Sequence, residues 1–415
     1  MPSPLIKNIE LFLDDKPSVY ALREKAKQTL LSTGFPTLKT EAWKYTPVTA
    51  LTSKDFNVDT SDKICGDTCC SHQHHQDDAI IEIKFCKGKL HIEEYNTPTG
   101  LTITPLPLAL YENEYKKYIF NSFELEKHPF AALNGMYLEQ GICIYIDKNT
   151  KIEKPLVIKY NQSSADSLQL NIHNIIILEQ NAKADLIEQF SSHNSNSYFT
   201  NVVNEIYLKT NASFTHYTAQ NESPNAYHIV LNAVKQHNDS LYKHFYFASG
   251  AKLSRHETLI NLERENARAE IYTAYTAKKD SLTDITTNIN HLNQETFSNQ
   301  YAKAVLNADS TAVFQGKIHI APHAIKTSGN QLHKALYLND NATLNCKPEL
   351  EIYADDVKCS HGASCGEIDK DQLFYLTSRG ISQETAKEIL TNAHLEEIKA
   401  LITDEKIKNL LFFSK

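Results

Sequence analysis

Two carboxylates, two thiols and an imidazole lie within eleven residues near the end of the chain. They are Asp355, Asp356, Cys359, His361 and Cys365. Because thiolates and imidazoles suit iron and zinc, this spacing predicts a soft-metal environment. The same residues also have a plainer interpretation, since aspartates often cap or turn the chain and free cysteines are often small buried hydrophobes. No Cys-x-x-Cys pair fixes a metal geometry here.

A second group of thiols and imidazoles lies in a polar tract near the N-terminus, again within eleven residues. Such a density of thiols and imidazoles could bind zinc or another soft ion. However, the tract has no paired ligands of the kind that form a zinc knuckle, so a flexible insertion with adventitious metal affinity is the competing interpretation. The residues are Cys65, Cys69, Cys70, His72, His74 and His75.

Composition excludes several classes of function. The net charge of −8 argues against electrostatic binding of nucleic acid or anionic lipid. No apolar run approaches the roughly 18 residues of a membrane helix, and Lys7, Asn8 and Glu10 interrupt any signal-peptide core. The sequence contains neither GxxxxGK[ST] nor GxGxxG, so nucleotide chemistry must come from a partner. Eight cysteines in 415 residues are too sparse for a disulfide scaffold, which favours reduced thiols in the cytoplasm.

The elements that position the first group are mostly short β-strands. Between residues 133 and 360 a weak repeat pairs Asn or Asp with Ala or Ser, at intervals of 30, 28, 27, 43 and 32 residues. A turn followed by period-two residues at near-constant spacing favours a β-solenoid over a β-sandwich with chance turns. The repeat starts at Asn181, Asn211, Asp239, Asn266, Asp309 and Asn341.

Helical patterns flank this β region. An amphipathic helix is predicted over residues 17–34, and two more follow the candidate caps Asp369 and Ser382. The strand ending near Asp355 and the helix after Asp369 would place the first group at a strand-to-helix corner. The predicted domains are an N-terminal helical region with the Cys/His tract (1–80), a connecting segment (81–132), the β-solenoid (133–365) and a C-terminal helical region (366–415).

Two stretches carry a resemblance to a known family. Residues 348–381, PELEIYADDVKCSHGASCGEIDKDQLFYLTSRGI, resemble the C-terminal signature of the SufB/SufD family of iron–sulfur cluster assembly proteins. Residues 34–48, GFPTLKTEAWKYTPV, resemble a segment near the N-terminus of the SufD branch. In this segment we assign Trp43, the only tryptophan, a packing role.

The resemblance implies a fold and partners. The fold would be a mainly β, right-handed parallel β-helix with helical regions at both ends. The chain would be a non-catalytic scaffold subunit that pairs with a SufB homologue through the β-helix, or with a second copy of itself when isolated. The ATPase SufC would hydrolyse ATP and dock on the C-terminal helices. The docking candidates are Leu373, Phe374, Tyr375 and Arg379.

The resemblance also implies a site. In the family a transient iron–sulfur cluster is thought to form between SufB and SufD, using a SufB thiol and a SufD histidine. The matching position here is His361, with Cys359 as a weaker candidate and no stably bound cofactor expected in the isolated chain. Cys365 departs from the family pattern, which usually has an aliphatic residue there, so it could be a further ligand or a small packing side chain.

Two other functions remain as alternatives at this point. A stand-alone metal-dependent hydrolase could use Asp355, Asp356 and His361 around a water molecule, but it would need ligands that converge from several strands and a pocket. A zinc-storage protein acting through residues 65–78 is the other alternative. We interpret His291 as structural, because a lone histidine in a β-rich run is more often a hydrogen-bonded packing residue than a ligand.

Overall fold

The computed structural model describes residues 3–6, 17–58, 80–86, 89–91, 97–138, 140–161, 167–192 and 195–412. In chain order the strands are β1 Ile81–Cys86, β2 Lys89–His91, β3 Leu101–Pro105, β4 Ile142–Ile146, β5 Leu156–Asn161, β6 Gln169–Leu178, β7 Lys183–Ser191, β8 Phe199–Leu208, β9 Ser213–Asn221, β10 Tyr227–Gln236, β11 Leu241–Ala248, β12 Leu253–Leu262, β13 Arg268–Ala277, β14 Leu282–His291, β15 Phe297–Leu306, β16 Thr311–Ile320, β17 Thr327–Tyr337, β18 Thr343–Ile352 and β19 Val357–Glu367. The helices are α1 Pro17–Thr33, α2 Thr49–Thr52, α3 Leu106–Ala109, α4 Asn113–Lys116, α5 Pro129–Gly135, α6 Lys370–Ser378, α7 Gln383–Lys399 and α8 Glu405–Phe412.

The strands form a parallel β-solenoid, as the sequence predicts. From β6 onward, consecutive strands alternate between a nine-stranded sheet and a ten-stranded sheet, giving about seven coils. Each strand pairs in parallel with the strand two places along the chain. Strands β1, β2 and β3 extend both sheets at the first-coil end, where β2 and β3 pair antiparallel to their neighbours.

The Asn/Asp repeat marks the corners of the coils. Asn181, Asn211, Asp239 and Asn266 all have φ between 57° and 61° and connect the nine-stranded to the ten-stranded sheet. Asn and Asp tolerate this left-handed conformation better than other residues with a Cβ. Their side chains also form a ladder, in which Asn211 Nδ2 donates to Asn181 Oδ1 at 2.9 Å.

The single repeat that we predicted is in fact two. Asp309 and Asn341 lie at the opposite corner, between β15 and β16 and between β17 and β18, so the interval of 43 residues spans a change of corner. The first corner continues through Glu295 and Lys326, which also have positive φ. Neither residue carries the Asn/Asp signal, and the sequence repeat therefore missed them.

The interior combines apolar rows with buried polar ladders. Ala184, Phe214 and Tyr242 occupy equivalent positions on β7, β9 and β11, and all are buried. Asn204 is buried between two further coils, where it accepts from Asn174 Nδ2 and donates to Asn232 Oδ1, each at 2.8 Å. Because successive coils share one register, the buried amides of this ladder find their partners in the neighbouring coils.

The segment that contains Trp43 packs on the outer face of the nine-stranded sheet. Trp43 is buried, with the Arg255 guanidinium 4.0 Å from its ring centroid. Arg255 is itself fully buried and forms an ion pair with Asp284, which neutralises its charge. Lys347 Nζ, on β18, donates to Glu41 Oε1 at 2.8 Å. The predicted packing role of Trp43 is confirmed.

The terminal helices agree only partly with the sequence. The helix predicted over 17–34 is α1, and the predicted caps are confirmed: Asp369 accepts from backbone amides of α6, and Ser382 accepts from Thr385 N. Residues 111–120, in the connecting segment, form only α4 and turns. Helix α5 follows in the chain and packs against α1.

Candidate functional site

The first group of site residues lies on an edge strand. The predicted strand-to-helix corner is wrong, because Cys359, His361 and Cys365 belong to β19, the terminal strand of the ten-stranded sheet. Asp355 and Asp356 form the turn between β18 and β19, so they lie at a different corner. The chain enters α6 only after β19 ends at Glu367.

Alternation along β19 decides which way these side chains face. Cys359, His361 and Cys365 align with Gly329, Gln331 and Ala335 of β17. These three residues of β17 are all buried. Because successive side chains of a strand point to opposite faces, the three β19 residues share the face that points between the two sheets. We call this set of positions the inner row.

The inner row of the last coil is not covered. Gln331 and Ala335 are 2% and 5% exposed, whereas His361 and Cys365, one coil further on, are classed as exposed. The difference arises because no strand in the described part of the chain stacks on β18 or β19. We call this face of the solenoid the open end.

A third thiol, that of Cys346, belongs to the open end, although it was not among the predicted site residues. Cys346 lies on β18, aligned with the buried Phe314 of β16, and it is half-buried. It stands five residues after Asn341, in the row that the repeat predicts to face inward. That register was the available signal for placing Cys346 beside the predicted site.

Burial controls the ionisation of two of the thiols. It raises the pKa of Cys346 to about 11 and raises the pKa of Cys359 from its ordinary value. Both thiols are therefore protonated near neutral pH, and a metal ion would have to displace a proton from either of them. Cys359 also packs with Leu350 and Val357 in an apolar cluster, which keeps its inner side dry.

The predicted metal ligands do not form a complete metal site by themselves. Among the residues that the structure describes, no three His, Cys, Asp or Glu side chains are grouped so that they could hold a metal ion. Asp355 and Asp356 are exposed in their turn. The second group, Cys65 to His75, lies outside the described residues. The alternative of a metal-dependent hydrolase built on Asp355, Asp356 and His361 is therefore not supported.

Among the described residues, the outer backbone edges of β18 and β19 have no strand partner. Strand β18 has 10 residues and β19 has 11, and each has a hydrogen-bonded neighbour on one side only within the described chain. Unpaired N–H and C=O groups along a strand edge are a template for pairing with another chain. The open end thus offers two adjacent edges together with the inner row between them.

Helix α6 leaves two of its aromatic residues in solvent. It buries no side chain, and Phe374 and Tyr375 are 71% and 57% exposed. The Arg379 guanidinium lies 5.0 Å from the Tyr375 ring centroid, and Leu373 is half-buried. By contrast, α8 buries Ile407 and Leu411 in the apolar cluster that covers the outer face of the ten-stranded sheet. The four predicted docking residues thus lie on or next to a helix that has an uncovered apolar surface.

The histidine interpreted as structural has that role. His291 is fully buried, and its ring nitrogens lie 2.8 Å from Thr296 Oγ1 and from Ser298 Oγ. Burial lowers its pKa to about 3, so it is neutral at physiological pH. Its two hydroxyl partners leave neither ring nitrogen free to bind a metal.

Comparisons with known proteins match this chain to one family. The family described as "SUF system FeS cluster assembly, SufBD core domain" matches residues 160–394, and the "SufBD protein N-terminal region" matches residues 8–158. The iron–sulfur cluster assembly protein SufD of Escherichia coli is 30% identical over 393 residues, which cover 92% of this chain and 88% of that protein.

Two further relatives extend the comparison. A SufBD-family iron–sulfur cluster assembly protein of Synechocystis is 29% identical over 392 residues, covering 91% of this chain and 86% of that protein. The chloroplastic protein ABCI7 of Arabidopsis thaliana is 28% identical over 422 residues, covering 98% of this chain and 88% of that protein. The two family matches include the whole solenoid up to α7. The chain therefore belongs to the SufB/SufD family of iron–sulfur cluster assembly proteins.

Proposed function

We propose that this chain is a non-catalytic, SufD-like scaffold subunit that pairs with a SufB homologue through the open end of its solenoid. The observation that carries the proposal is the position of His361 on the inner row of β19, at an end where neither β18 nor β19 has an outer neighbour in the described part of the chain. A second solenoid that continued either sheet would cover this imidazole and exclude water from it. A second copy of this chain could occupy the same edges when no SufB homologue is present.

His361 has the chemistry to hold part of an iron–sulfur cluster at such an interface. A neutral imidazole nitrogen ligates iron, whereas a protonated one cannot. Because this chain offers no complete ligand set among its described residues, the covering chain would supply the remaining ligands. The cluster is then cargo, formed between two subunits and passed on, rather than a resident cofactor of this subunit.

Cys359 is the second candidate ligand and Cys365 the third. Cys359 lies two residues from His361 on the same face, but its raised pKa makes it a weaker ligand until a metal displaces its proton. Cys365 is exposed on that face, four residues from His361. Neither thiol lies in a group of three ligands among the described residues, so each would act together with the partner's groups.

The C-terminal helices would bind the ATPase SufC. Phe374 and Tyr375 supply the exposed aromatic area that protein interfaces favour, and Arg379 adds a charged group beside them. ATP hydrolysis would come from SufC, since this sequence has no recognisable phosphate-binding loop. Because α6 follows β19 after two residues, movement of a bound ATPase would act directly on the open end.

The compartment stays a prediction. No helix in the described parts of the chain combines the length and apolar character needed to cross a membrane. The relatives include a bacterial protein and a chloroplastic one, so they do not fix a single compartment. The predicted reduced thiols are the reason for proposing the cytoplasm.

The test is anaerobic cluster reconstitution of the chain co-purified with its SufB and SufC homologues. In His361→Ala we expect the complex to assemble normally but to retain a small fraction of the wild-type iron and sulfide. His323→Ala is the matched control, because His323 is an exposed histidine outside the inner row whose ring is hydrogen-bonded to the backbone carbonyl of Leu292. Equal cluster content in His361→Ala and the wild type would refute the role of His361.

A further inference from the structure

A buried amide without partners lies directly beneath His361. Gln331 occupies the position on β17 that aligns with His361 on β19. Its side chain is 2% exposed, yet neither its Oε1 nor its Nε2 has a hydrogen-bond partner among the described residues. A buried polar group left unpaired costs about 1–3 kcal/mol, so an unpaired amide in a polar-laddered solenoid requires an explanation.

The surrounding residues make room for this amide without bonding to it. Gly316 of β16 faces Gln331, and a Cβ atom at that position would lie 1.9 Å from Gln331 Nε2. The glycine therefore allows the amide to extend across the interior between the sheets. In the last coil, the residue aligned with Gly316 is Pro348, which has no backbone N–H to donate.

The next coil down shows what the amide lacks. Gln300 aligns with Gln331 on β15, and its Oε1 accepts from Thr287 Oγ1 of the opposite sheet at 2.5 Å, although its Nε2 has no partner among the described residues. At the level of Gln331 the opposite strand provides glycine instead of threonine. Gln300, Gln331 and His361 therefore occupy equivalent inner-row positions in three successive coils. The amide of Gln331 is unsatisfied, and His361 is the next side chain towards the open end.

A histidine that ligates a metal needs such an acceptor. When one ring nitrogen binds the metal, the other carries a proton, and this N–H almost always donates to a carboxylate, a carbonyl or water. Adjacent parallel strands lie about 4.8 Å apart, so Gln331 and His361 are close enough for a side-chain hydrogen bond. The amide oxygen of Gln331 is the acceptor that the inner row supplies.

We propose that Gln331 is a positioning residue that accepts a hydrogen bond from His361 when this histidine ligates iron at the covered open end. The bond fixes which ring nitrogen faces the metal, and it satisfies the buried amide at the same time. The inference rests on the proposed function, because it takes His361 to be a cluster ligand. It adds that the residue supporting this ligand comes from the preceding coil.

The test compares fold stability with cluster retention, because the proposal predicts opposite changes. Gln331→Leu removes an unsatisfied buried amide, so we expect unchanged or raised thermal stability of the isolated chain. In the complex with the SufB and SufC homologues, the same variant should hold the cluster about 10- to 100-fold less tightly. Gln331→Glu, which keeps an acceptor oxygen, should restore most of the retention.

A variant one coil below is the matched control. Gln300→Leu removes an amide that has a hydrogen-bond partner, so it should lower thermal stability while leaving cluster retention in the assembled complex near that of the wild type. Wild-type retention in Gln331→Leu would overturn the inference. If His361→Ala abolishes retention at the same time, the inference alone has failed. If both variants retain the cluster, the proposed function has failed as well.

Discussion

The two ends of the solenoid differ in the length and pairing of their edge strands. At the first-coil end the sheets finish in β2 and β3, which are three and five residues long and pair antiparallel to their neighbours. At the open end they finish in β18 and β19, parallel strands of 10 and 11 residues. Short and irregular edges are how proteins avoid edge-to-edge association. One end is therefore protected against pairing, while the other is left able to pair.

The two strands of the open end also differ from each other. Strand β18 carries Pro348, which lacks an N–H and so weakens that edge as a hydrogen-bond partner, whereas β19 contains no proline. Strand β19 also carries His361, Cys359 and Cys365. The strand with the more complete backbone edge is thus the one with the predicted ligands.

The largest effect should come from placing a charge on the inner row. Ala363 lies on that row between His361 and Cys365 and is exposed in the isolated chain. In Ala363→Lys the ammonium would be buried without a counter-charge once a partner covers the open end. A buried uncompensated charge costs about 3–5 kcal/mol, which is more than about 100-fold in affinity. Binding of the SufB homologue, measured by calorimetry, reports this loss.

Ser364→Lys is the control for that experiment. Ser364 is the next residue of β19, so its side chain lies on the opposite face of the sheet. The same charge there should change the affinity for the SufB homologue far less. If both lysines weakened pairing equally, the inner row would not be the surface that the SufB homologue covers. The conclusion that the open end is the pairing end would then be wrong.

A smaller effect is expected at the C-terminal helices. Phe374 and Tyr375 on α6 are mostly exposed, so replacing both by alanine should leave the thermal unfolding of the isolated chain unchanged. Truncation of aromatic anchors at an interface commonly costs about 2 kcal/mol or more. We therefore expect binding of the SufC homologue, measured by co-purification and calorimetry, to fall at least about 10-fold.

Leu411→Ala is the matched change on a helix that is already covered. Leu411 of α8 is 9% exposed and packs in the cluster on the ten-stranded sheet. Its truncation should lower the free energy of unfolding by about 2–5 kcal/mol. Unchanged SufC binding in the α6 variant would show that the exposed aromatics serve another contact.

How each part of the structure is stabilised decides whether that part could be predicted from the sequence. The corners were visible because Asn181 and Asn211 hold left-handed backbone that few residues tolerate. Glu295 and Lys326 adopt the same conformation with no compositional signal, so the change of corner was hidden. A turn can be predicted from residue type only where its backbone conformation restricts which residues can occupy it.

Strand β19 was missed for a reason tied to its role. A buried strand reveals itself by alternating apolar residues. The uncovered inner row of β19 carries His361 and Cys365, and its other face carries Ser360, Gly362 and Gly366, so neither face shows such a pattern. The resemblance to the family identified His361, yet it could not show that Gln331 lies beneath it. That neighbour is set by the register between strands 30 residues apart, which a single sequence does not display.

The last prediction compares the reactivity of two thiols, one near each end of the solenoid. Burial raises the pKa of Cys346 to about 11 and that of Cys143, on β4 near the first-coil end, to about 12. Cys346 is half-buried and Cys143 is buried. At pH 8 the thiolate fraction of Cys346 is then about 100-fold below that of a thiol at the ordinary value of 9.0. Alkylation followed by peptide mass spectrometry should therefore be slow at Cys346, and faster by about tenfold for each pH unit up to pH 11.

Partner binding should separate the two thiols further. Cys143 should react only when the first-coil end opens locally, so its rate should change little when the SufB homologue covers the other end. Cys346 lies at the open end, so a covering chain should suppress its alkylation. If the SufB homologue bound tightly while Cys346 reacted as fast as in the isolated chain, pairing would have to use a surface other than the open end.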